Sequence, residues 1–410
     1  MTSELRITAP FEVASLPAEG LPLERLRTII QDSHVSFLIG AGSSVPFIAP
    51  LGDVENALTE LNEPDDETQL ARASLQGYFF DRVLLPNLRL LNARNDADAQ
   101  KLIKSYGRFV GALNRVLLKR RSTLLGKQVN IFTTNVDMAF EHALELLEID
   151  TNDGFAGKIQ PRLDLGEYGT LRFRQGARFE YRSEIPTFNL VKIHGSAGWR
   201  RQGDEIYFDH SLDVIKAVHS KYEAAKGTLL EIKAPSDVDA LVLGLSATGR
   251  ALDQAGLDFA EAYKDLQIVN PEKTKFASTV LNKTYYELIR RFANELEKEN
   301  SVLLTHGFSF RDEHLLDLVL RTASTNPTLQ VIIFCYDRAS YHAIKSLFPS
   351  EKVKNGNVLF VRPAEPKADE EERKLSLDVV VEDFLELLLD ETSRPVDHII
   401  EFRLGSDEHA

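Results

Sequence analysis

A series of short apolar runs, each stopping at a glycine or a polar turn, constrains this chain more than any other feature. The runs are 35–39, 129–134, 188–193, 301–305, 329–335 and 358–361, with 241–245 and 266–269 as further candidates. Runs of this length are too short for buried helices. They lack the alternation of a strand with one wet face, so they predict strands buried on both sides. The segments between them carry apolar residues at helical spacing: Leu23, Leu26, Ile29 and Ile30 before the first run, and Phe140, Ala143, Leu144 and Leu147 after the second. Strands alternating with helices predict an α/β fold with a mainly parallel, Rossmann-like sheet.

The rest of the chain is laid out around that frame. Residues 1–22 contain Pro10, Pro17 and Pro22 and are expected to form an extended arm, with the main domain over 23–363. Residues 54–125 predict a helical insertion between sheet strands. The basic cluster Lys119-Arg120-Arg121 at its end is expected to be a solvated helix face. A charged, proline-containing linker at 364–374 leads to a small C-terminal extension over 376–410, with a helix near 379–389 and a final strand at 398–404. The insertion and the extension lie outside the core motifs, which makes them candidates for contacts in a homo-oligomer.

Composition narrows the function classes. The 410 residues include 48 Lys+Arg and 62 Asp+Glu, a net charge of −14, which disfavours extensive direct binding to nucleic-acid phosphates. A single cysteine, Cys335, excludes an intramolecular disulfide and a cysteine-built zinc site, and suits a reducing compartment. The first ten residues have no apolar core of a signal peptide. No apolar run approaches the ~20 residues that span a bilayer. A cytoplasmic protein without a membrane segment is expected.

Chemistry-bearing residues cluster where the apolar runs stop. Gly40-Ala41-Gly42 follows the first run directly. Glycines there let backbone approach a pyrophosphate, and a following helix N-terminus attracts an anion; a plain strand–helix turn would read the same. The third glycine of the dinucleotide fingerprint is replaced by Val45. Asn135-Val136-Asp137 follows the second buried run, where side chains face the ligand cleft of a parallel sheet, although either polar residue would also cap the next helix. His194-Gly195 ends a third run, and that histidine suits proton transfer or a structural hydrogen bond. Residues 244–251 have the glycine spacing of a phosphate loop but carry Arg250 and Ala251 where lysine and a hydroxyl belong. The histidines form no metal-binding pattern, so no metal is expected.

Taken in order, Gly-Ala-Gly-Ser at 40–43, Thr-Thr-Asn-Val-Asp at 133–137, His194-Gly195 and Gly307-Phe308-Ser309 resemble the sirtuin family. The segment 268–314, with Asn270-Pro271, Lys275-Phe276 and 307–314, looks like the bacterial sirtuin-like proteins of antiphage defence, in particular the subunit that partners a HerA-type ATPase. Thr134 stands where a glutamine is usual, and one cysteine cannot build the zinc ribbon of the deacylating members.

The resemblance implies a sirtuin-type fold without the ribbon and an NAD⁺ hydrolase that depletes the cofactor, restrained by oligomerisation and the partner ATPase. It assigns Asn135, His194 and Asp137 to catalysis. Gly40, Ala41, Gly42, Ser43, Thr134, Gly307 and Ser309 would bind NAD⁺. A non-catalytic subunit sensing NAD or ADP-ribose, and a zinc-free deacylase, are the alternatives.

Overall fold

The computed structural model describes residues 11–13, 23–50, 54, 58, 61, 66–120, 125–178, 181–232, 251–269, 279–364 and 371–389. The strand candidates at 241–245 and 398–404, the phosphate-loop look-alike up to Arg250, and Asn270-Pro271 and Lys275-Phe276 lie outside these residues.

Strands β1 (Phe11–Val13), β2 (His34–Ile39), β3 (Gln128–Thr133) and β4 (Thr151–Asn152) are followed by short antiparallel pieces. These are β5 (Phe155–Ala156) with β6 (Arg162–Leu163), and β7 (Phe173–Gln175) with β8 (Arg182–Glu184). Then come β9 (Thr187–Lys192), β10 (Trp199–Gln202), β11 (Glu205–Phe208), β12 (Ser301–His306), β13 (Gln330–Phe334) and β14 (Val358–Pro363). Among the described residues the main sheet has eight strands in the order β1-β14-β13-β12-β2-β3-β9-β4. All neighbours pair in parallel except β1, which runs antiparallel to β14 at one edge. Taking β2 as the first strand, β9-β3-β2-β12-β13-β14 is the 3-2-1-4-5-6 order of a doubly wound, Rossmann-like sheet. The expectation of a mainly parallel α/β sheet is met.

Apolar residues on both faces of the strands explain why the sheet is covered twice. In β2, Val35, Phe37 and Ile39 pack into one core and Leu38 into the other; in β12, Val302 and Leu304 oppose Leu303 in the same way. The first core lies under the helices Leu23–Gln31, Ala97–Leu118 and Ala139–Leu146 and the helical segment at 377–389. The second lies under Thr279–Leu296, Glu313–Thr325 and Arg338–Ser346. A third cluster joins Asp66–Phe79 to Asp213–Ala225 and Gln254–Tyr263. Residues 66–118, between β2 and β3, are largely helical, as the sequence pattern predicts.

Two local expectations change. Arg120 is buried rather than solvated, because its guanidinium donates to the carbonyls of Ile30, Ser33 and Gly126 and ties the ends of two helices together. Residues 266–269 form no strand; Ile268 makes an isolated bridge to Gly195. The 377–389 segment turns its apolar side inward, with Leu377, Val380, Val381, Leu385 and Leu388 in the core. Arg108 pairs with Asp378 and Glu382 to hold its polar side against the 97–118 helix.

A polar seam also crosses the buried sheet. Asn152 donates to Asn189 at 3.0 Å, Asn189 to Asn130 at 2.8 Å, and Asn130 to Ser36 at 3.3 Å. These residues face one another in register on β4, β9, β3 and β2. A slip of one strand would leave buried amides unpaired, so the seam fixes register where two apolar faces alone would not.

Candidate functional site

The strand order reverses between β2 and β12, and in such sheets ligands bind outside the carboxyl ends of the strands at that point. The turns that follow these two strands touch. Gly40 N–H donates to the His306 carbonyl at 3.0 Å, and Gly42 N–H to the Gly307 carbonyl at 2.9 Å. A Cβ on Gly40 would stand 2.5 Å from the Gly307 oxygen. Gly307 has φ +65°, and a Cβ there would meet the Ser43 nitrogen at 2.4 Å. The glycines are therefore required by the approach of one turn to the other.

That approach is locked by a buried relay. The Leu375 carbonyl only accepts, so His306 Nε2 carries the proton donated to it at 3.0 Å. His306 Nδ1 then accepts the Ser43 hydroxyl at 2.7 Å. Burial holds the His306 imidazole neutral, its pKa pushed down from 6.5 to about 4. The Ser43 N–H bonds Gly40 O at 3.0 Å. The backbone donors of Gly40, Gly42 and Ser43, expected to face a pyrophosphate, are thus engaged within the protein, as is the Ser43 hydroxyl.

On the β3 side, Ser44, Tyr106, Asn135 and Asp137 form a second buried network. The Ser44 hydroxyl donates to Asp137 Oδ2 at 2.8 Å and lies 2.7 Å from the Tyr106 hydroxyl. Asn135 Nδ2 donates to both hydroxyls, at 3.2 Å to Ser44 and 3.3 Å to Tyr106. Asn135 is 5% exposed, and its Oδ1 is buried with no hydrogen-bond donor among the described residues. Burial, with the nearby Asp137 charge, pushes the Tyr106 phenol well above its ordinary range. Asp137 divides its work: Oδ1 accepts from the N–H of Ala139 at the start of the 139–146 helix, and Oδ2 faces Ser44. Oδ1 thus makes a local turn ahead of the helix, whose N-cap is Met138, while Oδ2 stays within the buried network.

Below them Lys192, at the end of β9, donates to the Asp137 carbonyl and pairs with Glu141 at 3.3 Å. Burial raises the Glu141 carboxyl above its ordinary value, and Lys192 opposes that rise. His194 follows β9, and its Nε2 lies 3.1 Å from Asp312 Oδ2, the two side chains being 11% and 7% exposed. Thr134 is half-buried, and its N–H donates to the Ile39 carbonyl at 3.2 Å.

A cavity of about 1010 Å³ opens over the β12–β13 half of the sheet. It collects Gly42, Ser43, Gly307 and Ser309 from the expected set, with Tyr336 after β13 and Leu377 from the C-terminal segment. Asn135, Asp137, Thr134 and His194 do not line it; they stand on the β3–β9 side of the glycine turns. The expected residues thus fall into two groups that share the switch point. Among the described residues, no His, Cys, Asp or Glu cluster is arranged to hold a metal ion. No helix among them is long and apolar enough to cross a membrane.

Sequence reading missed Ser44, Tyr106, Lys192 and Asp312. Ser44 sits beside the glycine motif, and Asp312 lies within the quoted 307–314 segment and heads a helix at its N-cap. Tyr106 lies mid-helix with no local signal and joins the site only through tertiary packing. Compared with known proteins, the chain matches no family model and no curated sequence.

Proposed function

We propose that the chain is an NAD⁺ glycohydrolase that cleaves the bond between nicotinamide and ribose. The observation that carries this reading is the contact of two glycine turns at the switch point of a Rossmann-like sheet. A cavity lies on one side of it, and Asn135, Asp137 and His194 lie on the other. Cavities of several hundred Å³ hold small organic ligands, so about 1010 Å³ has room for the adenosine half of a dinucleotide. Asn135 Oδ1 offers an unpaired buried acceptor for a ribose hydroxyl or a water. His194 serves as the proton acceptor, and the buried Asp137 adds negative charge near the oxocarbenium-like ribose. The electron pair of the broken C–N bond leaves with nicotinamide, which departs neutral.

The motif resemblance supports a role in antiphage defence by NAD depletion, in a homo-oligomer working with a HerA-type ATPase. A second reading, a non-catalytic subunit that senses NAD or ADP-ribose, is favoured by the placement of Asn135, Asp137 and His194 outside the cavity that Gly42, Ser43, Gly307 and Ser309 line. One assay separates the two. The purified chain, with and without a HerA-type ATPase, is incubated with NAD⁺ while free nicotinamide and ADP-ribose are measured. Release that is lost in Asn135→Ala and His194→Ala supports hydrolysis. NAD⁺ binding without release in either preparation refutes hydrolysis and supports the sensor.

A further inference from the structure

We propose that Asp312 is the positioning residue for His194, an inference that rests on the hydrolase reading. Asp312 does not belong to the strand that carries the histidine. It ends the stretch that leaves β12, whereas His194 follows β9, and β2 and β3 lie between them in the sheet. Three strand spacings of about 4.8 Å put those two strands roughly 14 Å apart. The Gly307–Asp312 stretch covers that distance and delivers a carboxylate to the histidine across the carboxyl ends of β2 and β3.

The carboxylate is fixed by its other oxygen. Asp312 Oδ1 accepts from the N–H groups of His314 and Leu315, capping the 313–325 helix. Oδ2 accepts from His194 Nε2 at 3.1 Å. A carboxylate only accepts, so Nε2 carries the ring proton and Nδ1 is left as the basic nitrogen. Nδ1 has no hydrogen-bond partner among the described residues. In the cleavage step the water oxygen bonds to the anomeric carbon and the C–N bond breaks towards nicotinamide. The water proton passes to His194 Nδ1, and Asp312 stabilises the imidazolium that forms.

The decisive variant is Asp312→Asn. Asparagine is as good a cap as aspartate, so Oδ1 keeps the helix N-terminus. The amide nitrogen then replaces Oδ2 and donates to Nε2, driving the ring proton to Nδ1 and removing the base. The expected result is a kcat lower by about 10²–10⁴-fold, with KM for NAD⁺ changed by less than about 3-fold. The ¹⁵N spectrum of His194 is expected to switch from the Nε2–H to the Nδ1–H tautomer. Wild-type kcat in D312N overturns the proposal, as does an Nδ1–H tautomer in the wild-type protein. If wild type and D312N both release no nicotinamide, the hydrolase reading fails and this role falls with it. The tautomer spectrum then shows separately whether the His194–Asp312 pair exists.

Discussion

The relay from Ser43 through His306 to Leu375 joins the β2 turn, the end of β12 and the C-terminal segment, and acid should break it. Native His306 is neutral, with burial lowering its pKa from 6.5 to about 4. The unfolded chain protonates the same ring below pH 6.5, so the unfolded state takes up more protons in that range. The stabilisation is therefore complete above pH 6.5 and is lost as the pH falls from 6.5 towards 4. At 1.36 kcal/mol per pKa unit the whole effect is about 3 kcal/mol, of which about 2 kcal/mol is lost by pH 5. Denaturant unfolding at pH 7 and pH 5, on wild type and His306→Gln, isolates this contribution. Every other group titrates in both proteins and cancels in the difference. Wild type should lose about 2 kcal/mol more than the variant between the two pH values. Parallel losses would show that His306 is not held neutral and that the relay does not clamp the three segments.

Three further outcomes test the surroundings of the site. Gly307→Ala combines a positive φ with a Cβ placed 2.4 Å from the Ser43 nitrogen. It should cost about 2–4 kcal/mol, and an unchanged thermal midpoint would contradict the close packing of the two turns. Lys192→Met leaves the Glu141 carboxylate buried and unpaired, at a cost of about 3–5 kcal/mol near neutrality. A carboxyl already raised by burial takes up a proton as the pH falls. The variant's deficit should therefore shrink at pH 5, and an equal deficit at pH 5 and 7 would be inconsistent with a buried pair. Asn189→Ala removes a partner from both Asn130 and Asn152 and should destabilise by about 2–4 kcal/mol. Hydrogen exchange of the β3 and β9 amides should accelerate; unchanged protection would mean that the polar seam does not hold register.

The sheet was legible because parallel strands buried on both faces leave a mark that depends on few other residues. The runs at 35–39, 129–134, 188–193, 301–305, 329–335 and 358–361 all became strands of the main sheet. The edges were less legible: β1 and β4 are short, and pairing with a neighbour, more than composition, makes them strands. At 266–269 an equally apolar run stays irregular, since its backbone pairs with residues 194–196 through a single isolated bridge and not a ladder. Arg120 misled for a related reason, because two main-chain carbonyls distant in sequence, those of Ile30 and Ser33, join the nearby Gly126 carbonyl in satisfying a charge that looks destined for water.

The amino-acid sequence by itself determined the doubly covered parallel sheet and put polar residues at its strand ends, because periodicity and glycine placement act through neighbouring residues. Only the tertiary structure decided which of those residues meet. It brought Tyr106 to Asn135, Asp312 to His194, and His306 between Ser43 and Leu375. It also turned the Ser43 donor inward and separated the glycine-turn cavity from Asn135, Asp137 and His194. Hydrogen bonds between residues far apart in the chain depend on where whole strands and helices pack, and no local spacing encodes that.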